Sequence, residues 1–408
     1  AQGRFQLPET KLLSEKYIKE ALAKGKTKAE ANEEANIKIR PTTEGIDVPD
    51  NAYNDGANIL QAKDILAQLS KKQEPFFFAV GIAKPHLPFV APKKYWDLYK
   101  REDMVLEPFQ EINKNPIEVA YHNAGELRGY TDIPEVIAAT PQKELGLSLS
   151  VDKQKELLHG YYAAISYTDA LVGKLLNTLD SLGLTKNTII VLWGDHGWHL
   201  GDHNLWCKHS NFEQATHAPL MISAPGIASN KTKSFSEHVD IFPTLCDLAD
   251  VSIEEIAPWC EGESLVHLGQ GGERTSPVAM EYAAEASYSP MVSLRYGPWK
   301  YNRCLLDEDQ LFNLDEDPNE LINLVNTHKH QGTLNQLRVK SEKRWNLNKF
   351  DTDVRESQAK RWIVYEALRN GNYFPWDYQP LQDASERYMR NHMDLNEVEN
   401  DNRFPRGE

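Results

Sequence analysis

Cysteine is scarce in this chain: the 408 residues contain four, Cys207, Cys246, Cys260 and Cys304, and no two stand in a Cys-x-x-Cys spacing. A zinc knuckle and a dense disulfide framework are thereby excluded, while a single bridge such as Cys260 to Cys304 and buried free thiols are equally open. Long hydrophobic runs are missing as well. The apolar stretch Phe76–Ala83 is strand-sized, far short of the roughly 18 residues that a membrane-spanning helix requires, so no membrane span is expected. Positive charge is in deficit, with 45 Lys and Arg against 60 Asp and Glu for a net charge of −15. That balance argues against a general nucleic-acid or anionic-membrane binder, and an anionic substrate must meet a local basic pocket. No segment repeats with a period of roughly 20–50 residues, which removes solenoids and propellers. An initial Met is lacking too, and the opening Ala1–Pro8 has neither the charged region nor the apolar region of a signal peptide. The expectation is that a segment upstream of Ala1 is not contained in this chain.

What is present suits a globular protein, with 40% hydrophobic and 26% charged residues. Thr10–Arg40 is rich in Lys, Glu and Ala with sparse apolar positions at helical spacing, which predicts a surface helical excursion. An amphipathic helix is predicted over Asn58–Lys71 and a long one over Asp152–Leu182. The runs Phe76–Ile82, Thr188–Leu192 and Pro219–Ser223 read as strands buried on both faces. Strands alternating with helices give an α/β fold with a mostly parallel sheet flanked by helices. Beyond about Gly262 short alternating strands with Gly and Pro turns predict a smaller C-terminal α+β subdomain. The expected division is 1–261 for the α/β part, 262–350 for the small antiparallel sheet, and 351–408 for a tail packing on the rest, with a helix around Ala359–Leu368.

In α/β sheets chemistry gathers at the carboxyl ends of strands, which directs attention to the loops after Ile82 and Trp193. The second loop is dense in polar groups: Gly194–His209 holds two carboxylates, four imidazoles and a lysine. Asp195 and His196, adjacent at a strand end, are the candidate metal ligands, since the break in strand alternation lets both heads turn onto one cation. A capping Asp followed by a packed His is the alternative. Lys208 lies past Gly201 and can fold back onto a bound anion. His199, Asp202, His203 and His209 are weaker candidates for substrate contacts. In the first loop, Pro85 and Pro88 bracket His86 and fix the backbone around it, which suits an imidazole held at a reaction centre and equally suits a rigid crossover. Leu311–Glu320 reads as a strand, a turn and a capped helix, without the spacing of an EF-hand loop.

Taken together, these segments resemble the sulfatases of the alkaline-phosphatase superfamily, in particular the iduronate-2-sulfatase-like branch. The resemblance rests on Glu74–Gly81 (EPFFFAVG) with Lys84–Phe89 (KPHLPF), Gly194–His203 (GDHGWHLGDH) with Trp206–Phe212 (WCKHSNF), Ala215–Leu220 (ATHAPL), Val239–Leu245 (VDIFPTL) and Gln310–Glu320 (QLFNLDEDPNE). It spans about Asp47–Asn326. It implies that Asp195 and His196 are two ligands of an active-site Ca²⁺, that Lys208 contacts the sulfate ester, and that His86 stands beside the leaving-group oxygen. Calcium prefers oxygen donors and imidazole suits zinc, so the metal follows from the family and not from the ligand types.

The chain departs from the family in one respect. Such enzymes carry a Cys or Ser in a Cys/Ser-x-Pro-x-Arg segment, oxidised to formylglycine, and an Asp-Asp pair for the metal. Neither occurs in these 408 residues. In the family both lie N-terminal to the matching region, so the expectation is that this chain is the larger C-terminal part, partnered by a missing N-terminal segment of the same protein. The activity implied is hydrolysis of sulfate from a sulfated sugar, in a polysaccharide or its oligosaccharides, by a secreted or periplasmic protein, lysosomal if eukaryotic. The alternatives are a phosphodiesterase or phosphonate hydrolase of the same superfamily, with Zn²⁺ or Mn²⁺ as its metal, and a noncatalytic carbohydrate-binding protein.

Overall fold

The computed structural model describes residues 5–113, 117–122, 124–133, 147–283 and 289–369. The chain separates into two compact units, one drawn from Ala1–Pro108, Glu126–Ile137 and Ser148–Thr188, the other from Phe109–Gly125, Ala138–Leu147 and Ile189–Glu408. Residues on both sides of position 261 belong to the second unit.

The first unit opens with the helices α1 (Pro8–Ala23) and α2 (Lys28–Lys38), and Leu12 and Leu13 of α1 are exposed, as a surface excursion requires. Strand β1 (Thr43–Ile46) then pairs in parallel with β2 (Phe89–Pro92). Helices α3 (Asn54–Leu69) and α4 (Val151–Ser181) enclose a core of Tyr53, Ile59, Val90, Ala91, Tyr95, Trp96, Ala163, Tyr167 and Leu171. The 31 residues of α4 are capped by Ser150, whose hydroxyl accepts from the Lys153 amide at 3.3 Å and so satisfies one of the free N-terminal donors.

Phe76–Ile82 differs from expectation. It carries no ladder to another strand among the described residues. Exposure alternates along it: Val80 and Ile82 pack on the core, while Phe77 is 85% exposed. An apolar run reports the chemistry of both faces, not whether each face finds cover.

The second unit contains β3 (Ile190–Trp193), the two-residue strands β4 (His199–Leu200) and β5 (Trp206–Cys207), and β6 (Leu220–Ser223). Here the mostly parallel sheet predicted from sequence is corrected in detail: β3 and β6 run antiparallel, Ile190 opposite Ser223 and Trp193 opposite Leu220. Parallel neighbours need a crossover that carries the chain back to its starting end. The connection from β3 to β6 holds a hairpin and the short helix Glu213–Thr216, and it returns the chain from the end where β3 stops. After α5 (Ile241–Leu248) come β7 (Val278–Tyr282), β8 (Met291–Tyr296), β9 (Trp299–Arg303) and β10 (Gln310–Asn313), an antiparallel sheet in the order β10-β9-β8-β7, as its alternating pattern predicts. The capped helix expected within Leu311–Glu320 does not form, and the next helix is α6 (Gln331–Arg344), followed by α7 (Leu347–Arg369). The rest of the expected tail lies outside the described residues. All four cysteines are free thiols, and no helix among the described residues is long and apolar enough to cross a membrane.

Candidate active site

In the first unit the loop carrying His86 is tied to two helices. The amides of Ala83 and Lys84 donate to the Asp55 carboxylate of α3 at 3.1 and 2.9 Å, and the Thr168 hydroxyl of α4 donates to the Lys84 carbonyl at 3.2 Å. Lys84 Nζ donates to the His86 carbonyl at 2.7 Å. The pyrrolidine rings of Pro85 and Pro88 fix φ on either side. His86 Nδ1 lies 2.8 Å from the Leu87 carbonyl, and because a carbonyl only accepts, Nδ1 carries the proton. Nε2 stands 2.8 Å from Glu126 Oε1, with the Glu126 side chain 8% exposed and that of His86 41%.

In the second unit β3 ends at Trp193 and the polar loop begins. Gly194 donates to the Pro219 carbonyl at 2.9 Å and Gly197 to that of Ala215 at 2.8 Å, so the loop lies against the chain that enters β6. A Cβ at Gly197 would sit 2.0 Å from the Gln214 carbonyl oxygen, so only glycine permits this approach. Asp195 points outward, its side chain 80% exposed and its Oδ2 3.5 Å from His196 Nε2. The other His196 nitrogen, Nδ1, donates to the Gly197 carbonyl at 2.7 Å. Strands β4 and β5 pair His199 with Cys207 and Leu200 with Trp206, a register that sets Trp198 opposite Lys208. Lys208 Nζ lies 5.2 Å from the Trp198 ring centroid, within cation–π range, and the same indole stacks on His196 at 6.1 Å. His196 and Lys208 thus share one indole, with Asp195 beside His196.

His199, Asp202, His203 and His209 are not substrate contacts in this arrangement, because all four are buried. His199 Nδ1 bonds Asp202 Oδ2, while its Nε2 meets Ser210 Oγ at 2.6 Å, so the ring clamps the turn that carries Lys208 onto the hairpin. Burial works to raise the Asp202 carboxyl, and the adjacent His199 imidazole overrides it and holds that carboxyl below its usual range. His203 stacks on Phe212 with centroids 4.1 Å apart. Burial lowers its imidazole to about 4, against the opposing pull of Asp202. The clue available in sequence is the apolar flanking of these polar residues by Trp198, Leu200, Leu205 and Trp206.

Two features were not evident in sequence. Glu126 is a single acid in the short helix Gly125–Arg128, outside every motif. Lys300 of β9 is fully buried, pairing with Glu213 at 3.1 Å and Glu320 at 3.0 Å. Glu320 Oε2 also accepts from the Glu213 amide at 2.6 Å. Burial raises the carboxyls of both acids. In Glu213 the Lys300 ammonium overrides burial and lowers the carboxyl, and in Glu320 burial wins and it stays raised. The last glutamate of the Gln310–Glu320 motif therefore anchors the segment that follows Lys208.

The donors around Asp195 do not by themselves fit a calcium ion. Asp195 and His196 supply one carboxylate and one imidazole, and no group of three or more His, Cys, Asp or Glu side chains placed to hold a metal occurs among the described residues. Calcium takes about 6–8 oxygens.

The model of the sulfatase family matches residues 15–251, more than half the chain and all four candidate residues. The chain belongs to the sulfatase family. It is therefore of the sulfuric ester hydrolase class, and the match begins ahead of Asp47, where the motif resemblance starts. A model of the N-sulphoglucosamine sulphohydrolase C-terminus matches residues 201–346, and one of the choline sulfatase enzyme C-terminus matches 352–404. Among relatives, this sulfatase is 43% identical to the choline-sulfatase of Rhizobium meliloti over 364 residues, 87% of this chain and 68% of that protein. It is 37% identical to human iduronate 2-sulfatase over 55% of this chain and 39% of that protein. The chain thus spans about two thirds of the first relative's length and about two fifths of the second's. The phosphonate monoester hydrolase of Silicibacter pomeroyi superposes with a TM-score of 0.59 at 19% identity over 73% of this chain and 60% of that one. This likeness establishes the sulfatase and alkaline-phosphatase type of α/β fold.

Proposed function

We propose that this sulfatase hydrolyses choline sulfate, the sulfate ester of a small cationic alcohol. The observation that carries the reading is the 43% identity to a choline-sulfatase across 87% of the chain, and the match of residues 352–404 to a choline sulfatase C-terminus supports it. Charge favours the same substrate, because a chain with a net charge of −15 attracts a cationic head and repels a sulfated polyanion. Lys208, its ammonium beside Trp198, meets the sulfate oxygens and offsets the charge that grows on them as the ester bond breaks. His86 hydrogen-bonds or protonates the departing alkoxide. Asp195 and His196 would be two of the ligands of a divalent cation, calcium in this reading.

A second reading, hydrolysis of a sulfated sugar, is favoured by the 37% identity to an iduronate 2-sulfatase. The test is sulfate release by the full-length protein, as its own cell makes it, from choline sulfate and from a 2-sulfated iduronate disaccharide. Faster turnover of the choline ester, lost in Lys208→Ala and His86→Ala, is the expected result. Faster turnover of the disaccharide replaces the first reading with the second, and full activity in both variants overturns the assigned roles.

A further inference from the structure

Lys208 is a point charge on a flexible four-carbon stem, so its use against a sulfate depends on what fixes the ammonium. Two features of the second unit bear on this. The backbone of Cys207 is left-handed, with φ at 78°, a region that residues bearing a Cβ rarely adopt. Cys207 is fully buried and paired with His199 across the hairpin, so the chain leaves strand geometry one residue before Lys208. Backbone outliers of this kind gather at functional sites. The other feature is the half-buried indole of Trp198, whose centroid lies 5.2 Å from Lys208 Nζ. Trp198 stands between two fixed residues. On one side Gly197 donates to the Ala215 carbonyl at 2.8 Å, and on the other His199 is fully buried and bonded to Asp202 and Ser210. An indole face attracts an ammonium through its quadrupole and leaves the charge uncancelled, so the held cation remains available to an anion.

We propose that Trp198 is the positioning residue for Lys208, its indole face holding the ammonium where the sulfate oxygens of the ester arrive. The inference rests on the reading above, in which Lys208 meets the sulfate. The same indole stacks on His196 at 6.1 Å, so the imidazole read as a metal ligand and the ammonium read as the sulfate contact are referenced to one rigid ring. The role of Trp198 is one of binding: affinity for the sulfate group depends on the ring, and affinity for the alcohol part does not.

Inorganic sulfate is therefore the probe, because it is the anionic product of every ester considered, and choline is the control, because it carries the alcohol without the sulfate. Both are titrated calorimetrically into the full-length protein, a readout that survives loss of turnover. In Trp198→Leu the dissociation constant of sulfate should rise about 5-fold, the size of a partly desolvated cation–π contact, and that of choline less than about 2-fold. Trp198→Phe, which keeps an aromatic face, should stay within about 2-fold of wild type for both. Lys208→Ala should weaken sulfate about 10-fold or more, and adding Trp198→Leu to it should weaken sulfate no further, since the ring then has no ammonium to hold. A fluorinated tryptophan at position 198 keeps the size of the ring and drains its face, and it should reproduce the loss seen in Trp198→Leu even where the leucine variant folds poorly. If the wild type prefers the 2-sulfated iduronate disaccharide, the desulfated disaccharide replaces choline as the control. Unchanged sulfate affinity in Trp198→Leu or with the fluorinated ring, equal losses for sulfate and control, or a further loss in the double variant overturns the role of Trp198. Unchanged sulfate affinity in Lys208→Ala instead overturns the underlying reading of Lys208.

Discussion

The two loops that carry the candidate residues are held in place by different physics. The His86 loop of the first unit is rigid locally: two prolines set its backbone, and backbone groups next to the imidazole are tied to Asp55 and Thr168 on neighbouring helices. The Asp195–Lys208 loop of the second unit relies on buried polar and charged partners. Its hairpin is clamped by His199 to Asp202 and Ser210, and the chain just beyond it is anchored by Lys300 through Glu213 and Glu320. A loop fixed by its own covalent geometry tolerates change elsewhere. One held by buried charges depends on each of those charges keeping its partner.

The sharpest way to test this contrast is to remove one buried charge. Lys300→Met leaves Glu320 without its cation and Glu213 with only Arg295, 3.7 Å away, and breaking such a pair from one side costs about 3–5 kcal/mol. Denaturant unfolding should show a loss of that size, and Glu320→Gln added to Lys300→Met should return part of it. A loss below about 1 kcal/mol would mean that water or a neighbour relaxes around the acids, and the contrast between the loops would fail. The corresponding change in the first unit, Asp55→Asn, leaves one acceptor oxygen for the two loop amides and should cost about 1–2 kcal/mol.

Next in size is a pH effect. The folded imidazole of His203 is lowered to about 4, against an unfolded value near 6.5. Between these values the unfolded chain binds the extra proton and the folded chain does not, so stability falls as pH drops from about 6.5 to about 4 and is flat in this respect above that window. The full effect is about 3 kcal/mol. His203→Phe, keeping a ring on Phe212, should remove that part of the pH dependence. An unchanged stability profile would show that the imidazole is protonated in the folded state. Ser210→Ala comes lower in the order, at about 1–2 kcal/mol, since it leaves His199 Nε2 buried without its hydroxyl.

Sequence periodicity revealed what is local. Helix α4 was legible because its apolar stripe lies within one segment, and the antiparallel order of β7–β10 because alternation and turns mark each strand. The direction of β6 against β3 was not legible, since an apolar strand carries no mark of its neighbour's polarity. Lys300 and Glu320 were not legible for the same kind of reason: a charged residue is read as solvated unless a partner is seen, and these two are 20 positions apart, one on β9 and the other in the loop after β10. Glu126 lacked even a motif, because its partner His86 lies 40 positions earlier.

The smallest expected effect on stability is the most informative about function. Asp195 is largely exposed, and the bonds made by its carboxylate are to the next residue, so Asp195→Asn should change unfolding free energy by less than about 0.5 kcal/mol. Every buried carboxylate of this loop and its anchor stabilises the fold through a partner, and Asp195 does not. Its charge is then available to a ligand. Calorimetric titration of calcium into the full-length protein should show at least about 10-fold weaker binding in Asp195→Asn, with sulfate release falling alongside. Unchanged affinity would remove Asp195 from the metal site, and a large loss of stability would show that the exposed loop depends on buried partners as the hairpin does.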